Sequence, residues 1–194
     1  MSGVRRIARW GLWFGGSLVL LSAFLIGIDV LLRKFLALSI GGADELAGYA
    51  LAIGTAWGLG AALLDRAHIR IDSLYVLFAQ KVRLSLDLAA MVMLLGFFAL
   101  VLWHGWGVLA QSWTSDSRSQ SALETPTVIP LSLWIAGLVA FIAVGVALLV
   151  QAFRLMAAGD LSGAARLIST RSAEEEVEDE IRDLQQRQAR ESGG

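Results

Sequence analysis

The stretch DELAGYALAIGTAWGLGAALLDRAHIRID, from Asp44 to Asp72, decides the fold of this chain. Between Leu46 and Leu64 it holds nineteen consecutive residues without a formal charge. At about 1.5 Å of rise per residue, a helix of this length spans roughly 28 Å, close to the thickness of the hydrocarbon core of a bilayer. The stretch therefore predicts one membrane crossing, with acids before it and a basic segment after it.

Small side chains recur on two faces of this predicted helix. One stripe repeats every fourth residue, and the second lies about 200° around the helix from it. Small residues favour close packing of membrane helices because the backbones can approach each other. Gly and Ala are also common in membrane helices generally, so lipid contact is the alternative interpretation. The predicted packing interface comprises Glu45, Ala50, Gly54, Trp57, Gly58 and Ala62, and the second stripe comprises Ala52, Ala56 and Gly60.

The composition also places the chain among membrane proteins. Of its 194 residues, 56% are hydrophobic and 17% are charged, and the mean hydropathy is +0.64. The sequence predicts an all-α membrane protein with four transmembrane helices and interfacial amphipathic helices. We expect spans at residues 10–32, 46–64, 88–113 and 131–153, and an interfacial helix at residues 73–84. Residues 1–156 then form the transmembrane domain, and residues 157–194 an acidic cytoplasmic tail that is partly helical or disordered.

The distribution of Lys and Arg predicts the orientation of the chain. Ten basic residues lie in the N-terminal segment, between the second and third spans, and just after the fourth span, where Arg154, Arg166 and Arg171 are counted, against three in the other two connections. Cytoplasmic segments of membrane proteins are enriched in Lys and Arg. We therefore expect a multi-pass protein of the bacterial inner membrane with both termini in the cytoplasm.

Two groups of charged residues have predicted structural roles. Asp29 and Arg33 lie four residues apart near the end of the first span, so an ion pair on one helix face is expected. Basic residues near the predicted cytoplasmic surface are expected to contact lipid headgroups. This second group comprises Arg66, His68, Arg70, Lys81 and Arg83.

The sequence contains no recognisable catalytic or cofactor motif. It lacks cysteine, which excludes disulfides, iron–sulfur clusters and thiolate zinc sites. His104 is the one histidine well inside a predicted span, and His68 is expected at the opposite membrane face, so the two cannot ligate one haem or metal. We therefore predict neither enzymatic activity nor a bound cofactor or metal, and nothing indicates a nucleic-acid partner.

Several short motifs follow one another along the chain. They are Arg33-x-Phe35, Asp44-Glu45 before the Gly/Ala-rich span, His68-Ile69-Arg70-Ile71-Asp72 after it, and later Thr125-Pro126, Ile129-Pro130 and Trp134. Taken in this order, the motifs resemble the small membrane subunit of tripartite ATP-independent periplasmic (TRAP) transporters. The likeness extends over about residues 10–154, with one departure, the lack of a proline near residues 78–82.

This resemblance implies a scaffold rather than a carrier. In that family the small subunit binds a large permease subunit, which holds the substrate and sodium sites, and a periplasmic binding protein delivers an organic acid. Glu45 would then be placed to pair with a cation of the permease or binding protein. Two alternatives stay open from the residues alone: a membrane-anchor subunit of a redox or other complex, and a self-associating four-helix bundle.

Overall fold

Four long apolar helices make up most of the structure, a computed structural model that describes residues 2–65 and 78–168 and, further on, Ile181, Leu184, Gln185 and Gln188. Each of the four is long and apolar enough to cross a membrane, so the predicted four-span all-α fold is confirmed. The helices are α1 (Ser2–Leu36), α2 (Ala43–Leu64), α3 (Gln80–Thr114), α4 (Val128–Ala157) and the short α5 (Leu161–Ile168).

The third span is longer than the sequence suggested. Helix α3 begins at Gln80 and continues without a break to Thr114, so residues 80–84 of the predicted interfacial helix form its first turns. Residues 80–88 contain neither Gly nor Pro, so no residue in this segment breaks the helix. Residues 73–77 of that predicted helix lie outside the described residues.

The four spans pack in a row rather than in a closed bundle. Helix α1 packs along α2, α2 packs on α4, and α4 packs on α3, whereas the described parts of α1 and α3 make at most marginal contact. The inner helices are accordingly the more covered ones. In the most apolar window of each helix, 39% of the residues are buried in α2 and α4, but 11% in α1 and 22% in α3.

One apolar core joins the inner helices to α3. It contains Leu63 of α2, Met91 and Leu95 of α3, and three residues of α4, of which Phe141 is 1% exposed. The Phe141 ring packs edge to face on Phe98, with 4.7 Å between ring centroids. In lipid, the hydrophobic effect does not drive helices together. Dispersion between these closely packed side chains is therefore the main attraction between the helices.

The beginning of the predicted acidic tail folds back onto the spans. Gly159 adopts a left-handed conformation (φ 82°), which turns the chain after α4. The Asp160 carboxylate then accepts a hydrogen bond from the Gly163 N–H (2.7 Å) and so caps α5. Helix α5 packs on α4 and α3, and Ala164 is fully buried.

The α1–α2 contact is close enough for the two backbones to touch. A Cβ atom placed on Gly15 would lie 2.6 Å from the carbonyl oxygen of Gly54, and one placed on Gly11 would lie 2.9 Å from that of Trp57. Real Cβ atoms do not approach other atoms so closely, and both obstacles are backbone. Only glycine at positions 11 and 15 permits this separation of the helices.

We predict that Gly15→Ala separates α1 from α2 and lowers the free energy of unfolding by about 1–3 kcal/mol, as overpacking does elsewhere. The matched control is Gly16→Ala, because a Cβ at the adjacent Gly16 would meet nothing within 4 Å. That substitution should be neutral or stabilise the helix by up to about 1 kcal/mol. Denaturant titration of the full chain in detergent micelles provides the measurement, and equal stability of the two variants would contradict the contact.

Candidate functional site

Helix α2 is the centre of the candidate site because each of its small-residue stripes meets a different helix. In the first stripe, Ala50 and Gly54 are buried against α1. A Cβ on Gly54 would lie 2.7 Å from a methyl group of Val19 and 2.9 Å from the Gly15 carbonyl oxygen. Ala50 and Gly54 of the predicted packing interface therefore pack within the chain.

Two residues of the second stripe, Ala56 and Gly60, face α4, whereas Ala52 is exposed. Ala56 is 2% exposed, and a Cβ placed on Gly137 of α4 would lie 2.9 Å from the Ala56 Cβ. Gly60, one turn further, is also buried, and a Cβ there would contact a methyl group of Val144 at 3.7 Å. Small residues on both helices thus allow α2 and α4 to approach closely.

Trp57 connects the three helices of this part of the row. Its indole N–H donates a hydrogen bond to the carbonyl oxygen of Leu133 in α4 (3.0 Å). Its ring packs edge to face on Phe14 of α1, with 5.4 Å between centroids. Because an indole N–H needs an acceptor in lipid, this bond fixes the position of α2 relative to α4.

The remaining part of the first stripe lacks such a neighbour. A Cβ placed on Gly58 would meet no atom of the described chain within 4 Å, and Gly58 and Ala62 are both only half-buried. The predicted interface therefore divides into an inner part at Ala50 and Gly54 and an open part at Gly58 and Ala62.

Glu45, at the opposite end of α2, is bound by hydroxyl groups of its own chain. Its Oε2 accepts hydrogen bonds from the Ser119 hydroxyl (2.6 Å) and from the Ser121 hydroxyl. The Tyr49 and Thr125 side chains lie beside the same carboxylate. No Lys or Arg of the described segments lies within ion-pairing distance of Glu45. The carboxylate therefore ties α2 to the connection between α3 and α4.

That connection, residues 115–127, is folded rather than extended. The Ser119 N–H donates to the Thr125 carbonyl oxygen (2.9 Å), and the Thr127 N–H donates to that of Ser117 (3.0 Å). Its far end packs on the α1–α2 turn, where the Leu123 side chain covers Gly42. Gly42 has a φ of 94°, a conformation that glycine adopts without strain.

The same α1–α2 turn is held from its other side by Asp29. This carboxylate is 2% exposed and forms an ion pair with Arg33 at 2.5 Å. It also accepts hydrogen bonds from the Ile40 N–H (2.6 Å) and the Ser39 hydroxyl (3.1 Å). Three partners of its own chain thus satisfy Asp29, which fixes the end of α1 to the turn that leads into α2.

The basic residues that are predicted to contact lipid headgroups are described only in part. Arg66, His68 and Arg70 lie outside the described residues, and Lys81 lies in the first turn of α3. The Arg83 guanidinium donates a hydrogen bond from Nε to the Phe78 carbonyl oxygen (2.7 Å). Arg83 therefore helps to hold the beginning of α3.

Sequence reasoning missed Ser119 and Ser121. They are separated from Glu45 by 74 and 76 positions, and no spacing rule relates residues in two different connections. The available signal was the high density of Ser and Thr between the third and fourth spans. Such hydroxyl groups need hydrogen-bond acceptors when they are buried, and a nearby carboxylate can provide one.

The comparisons with known proteins gave one match. The family model described as "Tripartite ATP-independent periplasmic transporters, DctQ component" matches residues 22–155, more than half of the chain. The matched range contains all of α2 and α3, the connection with Ser119 and Ser121, and nearly all of α4. The searches of curated proteins and of solved structures gave no significant match.

We predict that Glu45→Ala loosens the connection 115–127 while the spans stay packed. The Ser121 and Leu123 N–H groups donate to serine hydroxyls that Glu45 holds in place, so both amides should exchange faster with solvent. Hydrogen bonds to a charged group contribute about 1.5–3 kcal/mol, so exchange should accelerate by at least about tenfold.

Hydrogen–deuterium exchange measured by mass spectrometry tests this prediction, with Asp44→Ala as the matched control. The Asp44 side chain is 85% exposed and lies 3.7 Å from Arg33, so its removal should leave exchange in this connection unchanged. Unaltered protection in Glu45→Ala would show that the serine contacts do not hold the connection.

Proposed function

This chain belongs to the DctQ component family of tripartite ATP-independent periplasmic transporters, and from that membership we propose that it is the scaffold on which a large permease subunit is held. It is the small membrane component of such a transporter, a multi-pass protein of the inner membrane. Proteins of this family work in a tripartite complex with a large permease and a periplasmic binding protein.

The packing of the spans supports a scaffold role. Glycine contacts and the Trp57 hydrogen bond fix α1, α2 and α4 relative to one another, which makes a rigid layer. Among the described residues, the row leaves most of α1 and α3 uncovered. A rigid layer with broad apolar faces suits a stationary support against which a permease is held.

Transport itself is assigned to the other subunits. Asp29 is satisfied by Arg33, Ser39 and the Ile40 N–H, which suits a structural role better than repeated binding and release of an ion. We propose that the permease imports an organic acid in a sodium-coupled manner and that the binding protein delivers it. This chain then neither binds nor converts the substrate.

The proposed orientation has both termini in the cytoplasm. The N-terminal end of α1, with Arg5, Arg6 and Arg9, lies at the same side of the row as the C-terminal end of α4, with Arg154. The positive-inside tendency then assigns this side to the cytoplasm. The Glu45 contacts and the connection 115–127 consequently face the periplasm, on the side from which a binding protein approaches.

The open part of the α2 stripe is the observation that carries the proposal. A Cβ placed on Gly58 would meet no atom of the described chain within 4 Å, although one placed on Gly54, one turn earlier, would be closely packed. Small residues are not needed for contact with lipid tails, whereas a helix of another subunit can approach closely over them. We propose that Gly58 and Ala62 face the permease.

We predict that Gly58→Leu reduces recovery of the large subunit with this chain by at least about fivefold, because a bulky side chain at a close helix contact costs about 1–3 kcal/mol. Sodium-dependent uptake of the transported acid by cells should fall in parallel. The experiment is affinity purification of the tagged chain from membranes, with quantification of the co-purified large subunit.

Two controls make this experiment decisive. Gly58→Ala adds only a methyl group and should retain most of the complex. The isolated Gly58→Leu chain should keep wild-type stability, because a Cβ at position 58 meets no atom of the described residues within 4 Å. Normal complex recovery with Gly58→Leu would refute the proposed contact. Loss of a homodimer instead would favour the self-associating bundle.

A further inference from the structure

A cleft opens between the first turns of α1 and the last turn of α2. Its volume is about 290 Å³, and its lining includes Arg5, Arg9 and Leu12 from α1 together with Leu64 and Asp65 from α2. The charged residues lie at one end of the helices, and the two leucines continue the lining toward the apolar part of the spans. The cleft thus combines two cations, one anion and an apolar wall.

The position of the cleft matches the boundary between hydrocarbon and headgroups. From Arg9 to Asp29 along α1, and from Glu45 to Asp65 along α2, the helices advance by about 30 Å, the thickness of the hydrocarbon core. Because α1 and α2 run antiparallel with Gly15 beside Gly54, Arg5 lies at about the level of Asp65, and Arg9 lies about one helical turn nearer the apolar part of the spans. Their charged groups are therefore placed at the depth of phospholipid headgroups.

The fold does not account for these charges. Within the described residues, Arg5 and Arg9 have no hydrogen-bond or ion-pair partner, although their spacing places both on one helix face. Asp65 is the C-cap of α2, where the helix dipole disfavours an acid. It also has no hydrogen-bond or ion-pair partner for its carboxylate among the described residues. A ligand with both an anionic and a cationic group would satisfy all three side chains.

We propose that this cleft binds the headgroup of an aminophospholipid, phosphatidylethanolamine. The Arg5 and Arg9 guanidinium groups donate hydrogen bonds to the phosphate oxygens, and the ammonium group of the lipid donates to the Asp65 carboxylate. Leu12 and Leu64 contact the first methylene groups of an acyl chain. The lipid thereby links the ends of α1 and α2.

The chemistry of the cleft distinguishes this ligand from others with the same phosphate. The choline headgroup carries a quaternary ammonium without N–H groups, so it cannot donate a hydrogen bond to Asp65. The glycerol headgroup is neutral and leaves the Asp65 charge unpaired. Inorganic phosphate has no acyl chain to contact Leu12 and Leu64.

The test is a lipid titration of the delipidated full-length chain in detergent, followed by native mass spectrometry. Phosphatidylethanolamine should bind about tenfold more tightly than phosphatidylcholine, as expected for one charge-assisted hydrogen bond. Arg5→Gln with Arg9→Gln should weaken binding of both lipids by at least about tenfold. Asp65→Asn should reduce the preference between the two lipids to about twofold or less.

Arg6→Gln is the matched control, since Arg6 is an exposed arginine of the same helix turn that does not line the cleft. It should leave both affinities unchanged, and thermal unfolding should show all variants folded. Equal affinity of the wild-type chain for both lipids, or an effect of Arg6→Gln as large as that of the double variant, would overturn the proposal. Complete competition by millimolar phosphate or glycerophosphoethanolamine would also overturn it, because the site would then not require a lipid.

Discussion

The contact between the backbones of α1 and α2 at Gly15 and Gly54 is the constraint on which the rest of the structure depends. It sets the separation of these helices and brings Trp57 between Phe14 of α1 and the Leu133 carbonyl of α4. Helix α2 lies between α1 and α4, and α3 packs on α4, so the spans form a row. Burying apolar surface against another helix yields little free energy when that surface was already in lipid. Close packing and a few satisfied polar groups must therefore hold such a row together.

Two carboxylates hold the connections between the helices. Asp29 binds the α1–α2 turn, and Glu45 binds the connection between α3 and α4 through Ser119 and Ser121. Asp29 is satisfied within the chain, whereas Glu45 uses only Oε2 for the serines and keeps a buried Oε1 without a hydrogen-bond partner among the described residues. The expectation that Glu45 pairs with a cation of a partner stays a prediction. The family membership and this arrangement together describe a subunit whose polar residues stabilise its own shape and whose apolar faces are left for other molecules.

The sequence predicted the number of spans, the small-residue faces of α2 and the family, because hydrophobic length, fourfold spacing and ordered motifs are local signals. It also placed Asp29 and Arg33 close together, since four residues make one helical turn. It could not predict which stripe meets which helix, because both are made of Gly and Ala and the difference lies in Gly15 and Gly137 on the neighbouring helices. The serine contacts of Glu45 depend on how two distant connections fold, which no periodicity encodes.

We propose that Gly54 of α2 packs on α1, that Gly60 packs on α4, and that Gly58 is left to contact the large subunit. The most direct test of this arrangement is to place a photo-reactive amino acid at position 58, and in a second variant at position 60, and to irradiate intact membranes. We predict a cross-link from position 58 to the large subunit and none to that subunit from position 60, which faces α4. Cross-links from position 58 only to lipid, or equal cross-linking to the large subunit from both positions, would contradict it.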